Sequence, residues 1–431
     1  MQVYIGIDWS QSKHDITFLN ELGAVMAALV IPHSQDGFAK LDATCRRLGV
    51  GPGECVVGLE TAHNLLIDFL WARRYCEVYV VPPNVVKSSR TRYRQSGAHT
   101  DRSDSFVVAD VLRTDRGRLQ PWHPDSLLTR QIQARVSLIS FLTREIVRLQ
   151  NRLTAALLRY YPAALHVFNP STQIGADFIR TYPTPQRATA LTFEQFEAFA
   201  RAHHYHRTQK LNTYFANLHA DHPEASPETV AAYEAEAPVL ASTLAEMVKT
   251  KTRALSELNG LFAQHLDYPI FSSLPGAGEF LGPALLAKFG DDRMRFPTPA
   301  SVQALAGTCP VTEQSGKGSW IHFRWACDHE FRRIAQQWAK ASLSYSVWAM
   351  AYWRQVLPRS GSESHAYRCL ANRWLAILWS LWQKRQPYDE AYHFKQRVQR
   401  SKPRPYVARI AARLAASLTR YPWHWKGSVD C

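Results

Sequence analysis

The sequence has no apolar run long enough to cross a membrane. Its longest run near the C-terminal end, residues 374–382, is far below the roughly 20 residues that a membrane-spanning helix needs, and Arg373, Lys384 and Arg385 flank it. The opening residues, MQVYIGIDWS, do not have the basic, apolar and small-residue segments of a secretory signal. We therefore expect a cytoplasmic protein with no membrane partner.

Cysteine is scarce and acidic residues are in the minority. The chain has 7 cysteines without a C-x-x-C pair, which argues against a disulfide framework and a zinc knuckle. The chain has 36 Asp and Glu residues and 51 Lys and Arg residues, so its formal net charge is +15. Such an excess favours a polyanionic partner, with nucleic acid ahead of an anionic membrane surface.

The composition is that of a folded protein with more than one domain. Hydrophobic residues make up 46% of the 431 residues, and no internal repeat or low-complexity tract stands out. We expect a first domain over residues 1–123, a helical linker over 124–268 with an inserted segment at about 162–238, and a mostly helical third domain over 269–431.

The first third predicts alternating strands and helices. Three β-prone runs at residues 3–7, 15–19 and 25–31 are separated by short turns and indicate an antiparallel meander. Further along, the pattern predicts helices near 35–48 and 65–74, strands at 55–59 and 78–81, and a helix beginning near Asp101. This β-β-β-α-β-α-β-α order is that of the ribonuclease H-like fold, an α/β fold in which helices cover a mixed sheet.

Four acidic residues stand where such a fold gathers ligands. Asp8 and Glu60 each follow a predicted strand, and Asp101 and Asp104 share one face at the start of a helix. Taken one at a time, each is a typical capping or solvated carboxylate. Together they predict a site for Mg²⁺ or another divalent metal, because hard cations prefer oxygen ligands and two such ions stabilise both oxygens of a phosphodiester displacement.

The segment after the first domain contains two runs of apolar residues with helical spacing, which we call the two helical stripes. In the first, apolar residues alternate at spacings of three and four and indicate a coiled-coil seam: Ile139, Leu142, Ile146, Leu149, Leu153, Ala156 and Tyr160. The second stripe contains Leu240, Leu244, Met247, Ala254, Leu258 and Leu261. These helices pack together within one chain or pair between protomers.

The last third has two glycine-rich turns and a basic stretch. Gly276 and Gly278 precede a helix and are predicted to present backbone N–H groups to a phosphate. The second turn, QSGKGS, places Ser315 beside Gly316 and Lys317, and Arg324, Arg332 and Arg333 follow as candidate nucleic-acid-binding residues. On pattern alone Ser315 is an ordinary turn residue. The interleaved aromatics Trp325, Trp338, Tyr345, Trp348 and Trp353 favour core packing over base stacking.

Five segments resemble the DEDD-motif insertion-sequence transposases, a family that includes pilin-gene DNA invertases and bridge-RNA-guided recombinases. They are YIGIDWSQSKHD, VVGLETAHN, HTDRSDSFVVADVLR, SLPGAGEFLGPALLAKFGD and RFPTPASVQALAGTCPVTEQSGKG, in that order. The stretch after Gly318 departs from the family pattern, since SWIHFRWACDHEFRR replaces a glycine- and lysine-rich continuation.

The resemblance implies a RuvC-like first domain and a transposase domain at the C-terminal end. Asp8, Glu60, Asp101 and Asp104 fall on the family's metal-binding acids, and Ser315 falls on its serine nucleophile. It further implies a transient phosphoserine link to DNA, a structured noncoding guide RNA that pairs with donor and target DNA, and a homo-oligomer, dimer or tetramer, with sites shared between protomers.

Three other interpretations remain open. A RuvC-like metal-dependent junction nuclease would use the acids without serine chemistry. IGIDWSQS also resembles the first phosphate loop of sugar kinases and actin-like ATPases, although Trp9 stands where a glycine is common. A noncatalytic nucleic-acid scaffold would depend on neither the acids nor Ser315.

Overall fold

A computed structural model describes residues 1–62, 65–75, 77–93, 100–316 and 318–400 of the chain. The chain divides into two compact units, Met1–Asp125 and Ser126–Cys431. In the described part, no helix is long and apolar enough to cross a membrane.

The first unit is built on a five-stranded mixed sheet. The strands are β1 (Val3–Trp9), β2 (Lys13–Leu19), β3 (Val25–Pro32), β4 (Cys55–Leu59) and β5 (Glu77–Val80), in the spatial order β3-β2-β1-β4-β5. The first three pair antiparallel, which confirms the predicted meander, and β1–β4 and β4–β5 pair parallel. Their buried apolar residues explain why β1 and β4 occupy the centre of the sheet.

Helices cover this sheet. They are α1 (Gln35–Arg47), α2 (Leu65–Ala72), α3 (Pro83–Arg90) and α4 (Asp101–Asp115), with short 3₁₀ turns at Pro52–Glu54 and Arg116–Arg118. The sequence pattern did not predict α3. The helix that bears on the site is α4, whose backbone reaches the middle of β1 at Gly6: a Cβ there would lie 2.0 Å from the Ser105 carbonyl oxygen. Only glycine permits this approach, which brings the first turn of α4 towards the end of β1.

The second unit is mostly helical. Its helices are α5 (Leu127–Tyr160), α6 (Gln173–Thr181), α7 (Pro185–Thr189), α8 (Phe193–Ala202), α9 (Leu211–Leu218), α10 (Pro227–Tyr233), α11 (Glu236–Ala263), α12 (Tyr268–Ser272), α13 (Gly278–Phe289), α14 (Pro299–Leu305), α15 (His329–Ser342), α16 (Val347–Ser360), α17 (Glu363–Lys384) and α18 (Glu390–Arg400). Short 3₁₀ turns lie at Pro162–His166, Thr208–Lys210 and Arg293–Arg295, and a hairpin of β6 (Val311–Ser315) and β7 (Gly318–His322) precedes α15.

The two predicted long helices exist and pack against each other within the chain. On α5, the stripe residues Ile139, Ile146 and Leu153 are buried, and on α11 Leu244 and Leu258 are buried. The segment predicted as an insertion folds into α6–α10, whose aromatic side chains pack with the facing parts of α5 and α11. A second core joins the remaining parts of these two helices to α12–α17.

Candidate functional site

The four predicted acids lie close together at one edge of the first unit. Asp8 is near the end of β1, and Glu60 follows β4 directly. Because β1 and β4 are parallel, with Ile7 opposite Leu59, these two acids leave the sheet side by side. Thr100 caps α4 by accepting a hydrogen bond from the Ser103 N–H, which starts the helix so that Asp101 and Asp104 occupy its first turn.

Electrostatic coupling shows that the four carboxylates share one environment. Burial is the largest cause that raises the pKa of Asp8, and together with Asp104, Glu60, Asp101 and Asp15, in that order of influence, it brings this pKa to about 7. Burial also raises the pKa of Glu60, where the effect of Asp104 adds to it and that of Arg90 opposes it. The arrangement therefore concentrates more negative charge than its surroundings neutralise.

Two cations partly neutralise these acids. The Arg90 guanidinium donates from Nη2 to Asp104 Oδ2 at 2.7 Å, and Lys13 Nζ lies 3.0 Å from Asp101 Oδ2. The other Asp104 oxygen, Oδ1, is buried and has no hydrogen-bond partner among the described residues. Within the same described part, no three His, Cys, Asp or Glu side chains are grouped closely enough to hold an ion as they stand.

Three further members of this cluster were not predicted from the sequence. Asp15 lies directly opposite Asp8 in the β1–β2 ladder and is only 8% exposed. Lys13 and Arg90 supply the cations. Because side chains alternate along β2, the position of Asp15 beside Asp8 could be predicted once the β1–β2 register is known. Arg90 could not be placed in this way, since it lies on α3, which the sequence pattern did not reveal.

Ser315 lies at the tip of a β-hairpin and not in an irregular loop. It is the last residue of β6, it pairs with Gly318 at the start of β7, and its side chain is exposed. The turn needs a left-handed residue, and Gly316 supplies it with a φ of +57°. Lys317, predicted to neutralise phosphate charge, lies outside the described residues.

One face of this hairpin carries Ser315 together with other functional groups. Since side chains alternate along a strand, Glu313 and Ser315 share a face with their partners Trp320 and Gly318. His322 lies on that face as well, with Nε2 3.4 Å from Glu313 Oε2. The Trp320 ring covers Gly318, where an added Cβ would lie 2.6 Å from it.

The three predicted basic residues are half-buried at or near the base of the hairpin. Arg324 donates to the carbonyl oxygens of Cys309 and Pro310, both at 3.4 Å. Arg332 donates to the Arg324 carbonyl oxygen and, at 2.7 Å, to the Cys327 sulfur. Arg333 Nη2 lies 3.2 Å from Ser140 Oγ on α5. These arginines therefore brace the structure around the hairpin in addition to supplying positive charge.

The two glycines before α13 differ in their surroundings. Gly276 has a φ of +72°, and a Cβ there would lie 2.7 Å from the Ala341 carbonyl carbon, so this glycine permits close packing against the end of α15. Gly278 begins α13, is exposed, and faces open space despite a φ of +54°. Only Gly278 therefore has the access that a phosphate needs.

Two family models match separate parts of the chain. Residues 5–162 match the DEDD transposase domain of the IS110 type, described as a transposase, and residues 268–354 match the IS116/IS110/IS902 transposase family. The first match contains the acidic cluster, and the second contains the serine hairpin and the arginines at its base.

Similar proteins match along most of the chain. The mini-circle transposase for IS117 of Streptomyces coelicolor is 30% identical over 411 residues, which cover 93% of this chain and 98% of that protein. A 43.6 kDa protein of insertion element IS110 from the same organism is 22% identical over 88% of this chain and 93% of its own length. A 42 kDa protein of insertion element IS900 from Mycobacterium paratuberculosis is 23% identical over 90% and 98%.

Proposed function

This chain belongs to the IS116/IS110/IS902 family of transposases, and we propose that it cleaves and rejoins DNA of an insertion sequence with an acidic metal site and a serine nucleophile. The observation that carries the proposal is the convergence of Asp8, Glu60, Asp101 and Asp104 at one edge of the sheet. An exposed serine at the tip of a hairpin, inside the second matched segment, supports the serine chemistry.

The first unit is proposed to be RuvC-like. Its strand order β3-β2-β1-β4-β5, with three antiparallel strands followed by two parallel ones, supports this assignment. The acid on the central strand β1 and the acid after its parallel neighbour β4 lie where ligands of open α/β sheets gather.

The acidic residues fit a divalent cation. Their oxygens are the hard ligands that Mg²⁺ prefers, and the unpartnered buried Oδ1 of Asp104 lacks the positive or donating group that it requires. When bound, the ion would stabilise negative charge that develops on a phosphodiester. Asp8 and Glu60 would hold it from the sheet, and Asp101 and Asp104, which now pair with Lys13 and Arg90, would hold it from α4.

Ser315 is proposed to attack the phosphorus of a DNA strand. A bond forms between Ser315 Oγ and phosphorus, the bond from phosphorus to one DNA oxygen breaks, and the hydroxyl proton leaves as the displaced DNA oxygen gains one. The reverse attack by a DNA hydroxyl on the phosphoserine releases the protein and rejoins the strands. Exposure of Ser315 at the turn lets a DNA backbone reach the hydroxyl.

Replacing Ser315 tests the serine chemistry. End-labelled DNA that contains the element junction is incubated with protein and Mg²⁺, and a denaturing gel reports any protein–DNA adduct. We expect Ser315→Ala to abolish the adduct and Ser319→Ala, an exposed serine on the opposite face of the same hairpin, to retain it. An adduct that survives Ser315→Ala would remove Ser315 from the mechanism.

Replacing Asp8 separates a transposase from a nuclease. Asp8→Asn should abolish both nicking and the adduct, whereas Asp36→Asn, an exposed acid in the first turn of α1, should leave both intact. Nicking that requires Asp8 but not Ser315 would indicate a RuvC-like junction nuclease instead. Activity that requires neither residue would contradict both assignments.

A structured noncoding guide RNA and a dimer or tetramer are also part of the proposal. The net charge of +15 supports contact with more than one nucleic acid strand. Sequencing of co-purifying RNA should recover a transcript that maps beside the gene, and light scattering should give a mass of two or four chains. A monomer without RNA that still recombines DNA would refute both parts.

A further inference from the structure

A cluster of cationic and aromatic side chains surrounds Phe323, directly after β7. The Arg332 and Arg368 guanidinium carbons lie 4.4 Å and 4.7 Å from the centroid of the Phe323 ring. Trp325 contacts the same ring edge to face, with centroids 4.8 Å apart, and is 73% exposed. We call Phe323, Trp325, Arg332 and Arg368 the hairpin-base cluster.

The positive charges of this cluster have no acidic partner within the part of the chain that the structure describes. Among the described residues, neither Arg332 nor Arg368 forms an ion pair with a carboxylate. Burial lowers the pKa of Arg368, and the proximity of Arg332 lowers it further. Because both guanidinium groups contact the same ring, an anion bound beside them would offset positive charge that the fold brings together.

The chain makes room for this arrangement. Gly307 has a φ of +61°, and a Cβ there would lie 2.5 Å from Arg332 Nη2 and 2.6 Å from the Cys327 sulfur. Arg332 is fixed further by its hydrogen bonds to Cys327 and to the Arg324 carbonyl oxygen. A guanidinium group held in this way binds an anion with little further loss of side-chain freedom.

We propose that the hairpin-base cluster binds single-stranded DNA, with Arg332 and Arg368 at a phosphodiester group and the indole of Trp325 stacked on an unpaired base. Stacking on an exposed ring beside positive charge is how proteins bind single strands without reading sequence. The proposal rests on the proposed function, because the DNA is taken to be the strand that reaches Ser315.

The length of the hairpin predicts which nucleotide of the bound DNA stacks on Trp325. β6 and β7 have five residues each, so the base of the hairpin lies about 17 Å from its tip at roughly 3.3 Å per residue. Stacked nucleotides advance about 3.4 Å each along a strand. We therefore expect the contacted base to lie about five nucleotides from the phosphate at Ser315.

The stacking contact is tested with 2-aminopurine placed at successive positions of a single-stranded oligonucleotide from the element junction. Quenching of its fluorescence should reach a maximum near the expected position. We expect Trp325→Ala to remove that maximum and to weaken binding about 5- to 100-fold, whereas Tyr345→Ala, which is 72% exposed elsewhere in the unit, should change neither. Quenching that is unchanged in Trp325→Ala would overturn the stacking contact.

The phosphate contact is tested by salt dependence. Arg368→Gln should reduce the slope of log affinity against log salt concentration by about 0.7 for a single strand, Arg368→Lys should restore the slope, and Arg354→Gln, an exposed arginine on α16, should leave it unchanged. A slope unaffected by Arg368→Gln would overturn this contact, as would an effect confined to RNA of the same sequence.

Failure of this proposal and failure of the serine mechanism give different results. Ser315→Ala should retain both the quenching and the salt slope even though its adduct is lost. If the wild-type protein shows these binding signals but no adduct, the cluster stands and the serine chemistry fails. If the adduct forms but the cluster variants bind normally, the cluster proposal fails alone.

Discussion

The carboxyl group of Asp8 shows how one side chain depends on residues far away in the sequence. Asp15 lies opposite it on β2, Glu60 lies beside it after β4, and Asp104 approaches it from α4. Each neighbour disfavours the charged form of Asp8, so the folded protein holds a proton there up to a pH of about 7. Such a shift is typical of functional acids, and it stores unfavourable free energy in the folded state.

Replacing Asp8 should therefore stabilise the protein at high pH. Because the pKa is raised on folding, the stability contributed by this group is present below about pH 4 and is lost as pH rises to about 7. In the absence of divalent metal, Asp8→Asn should raise the free energy of unfolding at pH 8 by about 1–2 kcal/mol, a value reduced for partial solvent screening. Denaturant titrations at pH 4 and pH 8 check this.

The contrast with Asp36 provides the control for that measurement. Asp36 is exposed at the start of α1, and Asp36→Asn should show no comparable gain at pH 8. Equal stability of wild type and Asp8→Asn at both pH values would contradict the electrostatic crowding inferred for the cluster. Addition of Mg²⁺ should also stabilise the wild type more than Asp8→Asn.

Gly276 and Gly278 both adopt a left-handed backbone conformation, but their surroundings differ. Gly276→Ala combines a left-handed φ with a collision against the backbone of Ala341, so we expect it to lower the free energy of unfolding by about 3 kcal/mol or more. Gly278→Ala meets no neighbour and should cost about 1 kcal/mol. Thermal unfolding of the two variants measures the difference, and equal losses would disprove the packing role of Gly276.

At the scale of elements, the sequence predicted the strands of the first unit well. β1, β2, β3 and β4 lie within two residues of their predicted bounds, because short apolar runs between turn residues leave few alternatives. The helix α3 was missed since it is only eight residues long and begins directly after Pro82. The hairpin β6–β7 was predicted as a loop because its strands are short and exposed and are joined by a glycine-rich turn, so only their mutual pairing reveals them.

The pairing of α5 with α11 was left open by the sequence, and the structure places both helices in one chain. Leu153 is fully buried on α5, whereas Leu158 on the same helix is 59% exposed. Leu153→Ala should therefore lower the free energy of unfolding by about 2–5 kcal/mol, and Leu158→Ala by less than about 0.5 kcal/mol. Chemical denaturation distinguishes them, and a comparable loss in Leu158→Ala would indicate that its face is covered by another protomer.

At the scale of the whole molecule, the excess of basic residues governs affinity for nucleic acid. A protein that neutralises six to ten phosphates loses about 10³- to 10⁵-fold in affinity for duplex DNA between 50 mM and 200 mM salt. With a net charge of +15, we expect this chain to show a loss in that range for unrelated duplex DNA. Filter binding over this interval checks it, and affinity independent of salt would exclude backbone contacts as the source of binding.

From the sequence alone we predicted the strands of the first unit, its helices other than α3, the four acids and the two helical stripes. These follow from local periodicity and from residue chemistry, which act over a few positions of the chain. The folded chain was needed to find that Asp15, Lys13 and Arg90 join the acids, that Arg332 and Arg368 share the Phe323 ring, and that Gly276 is a packing residue. Such contacts depend on strand register and on helix approach, which residues distant in the sequence fix together.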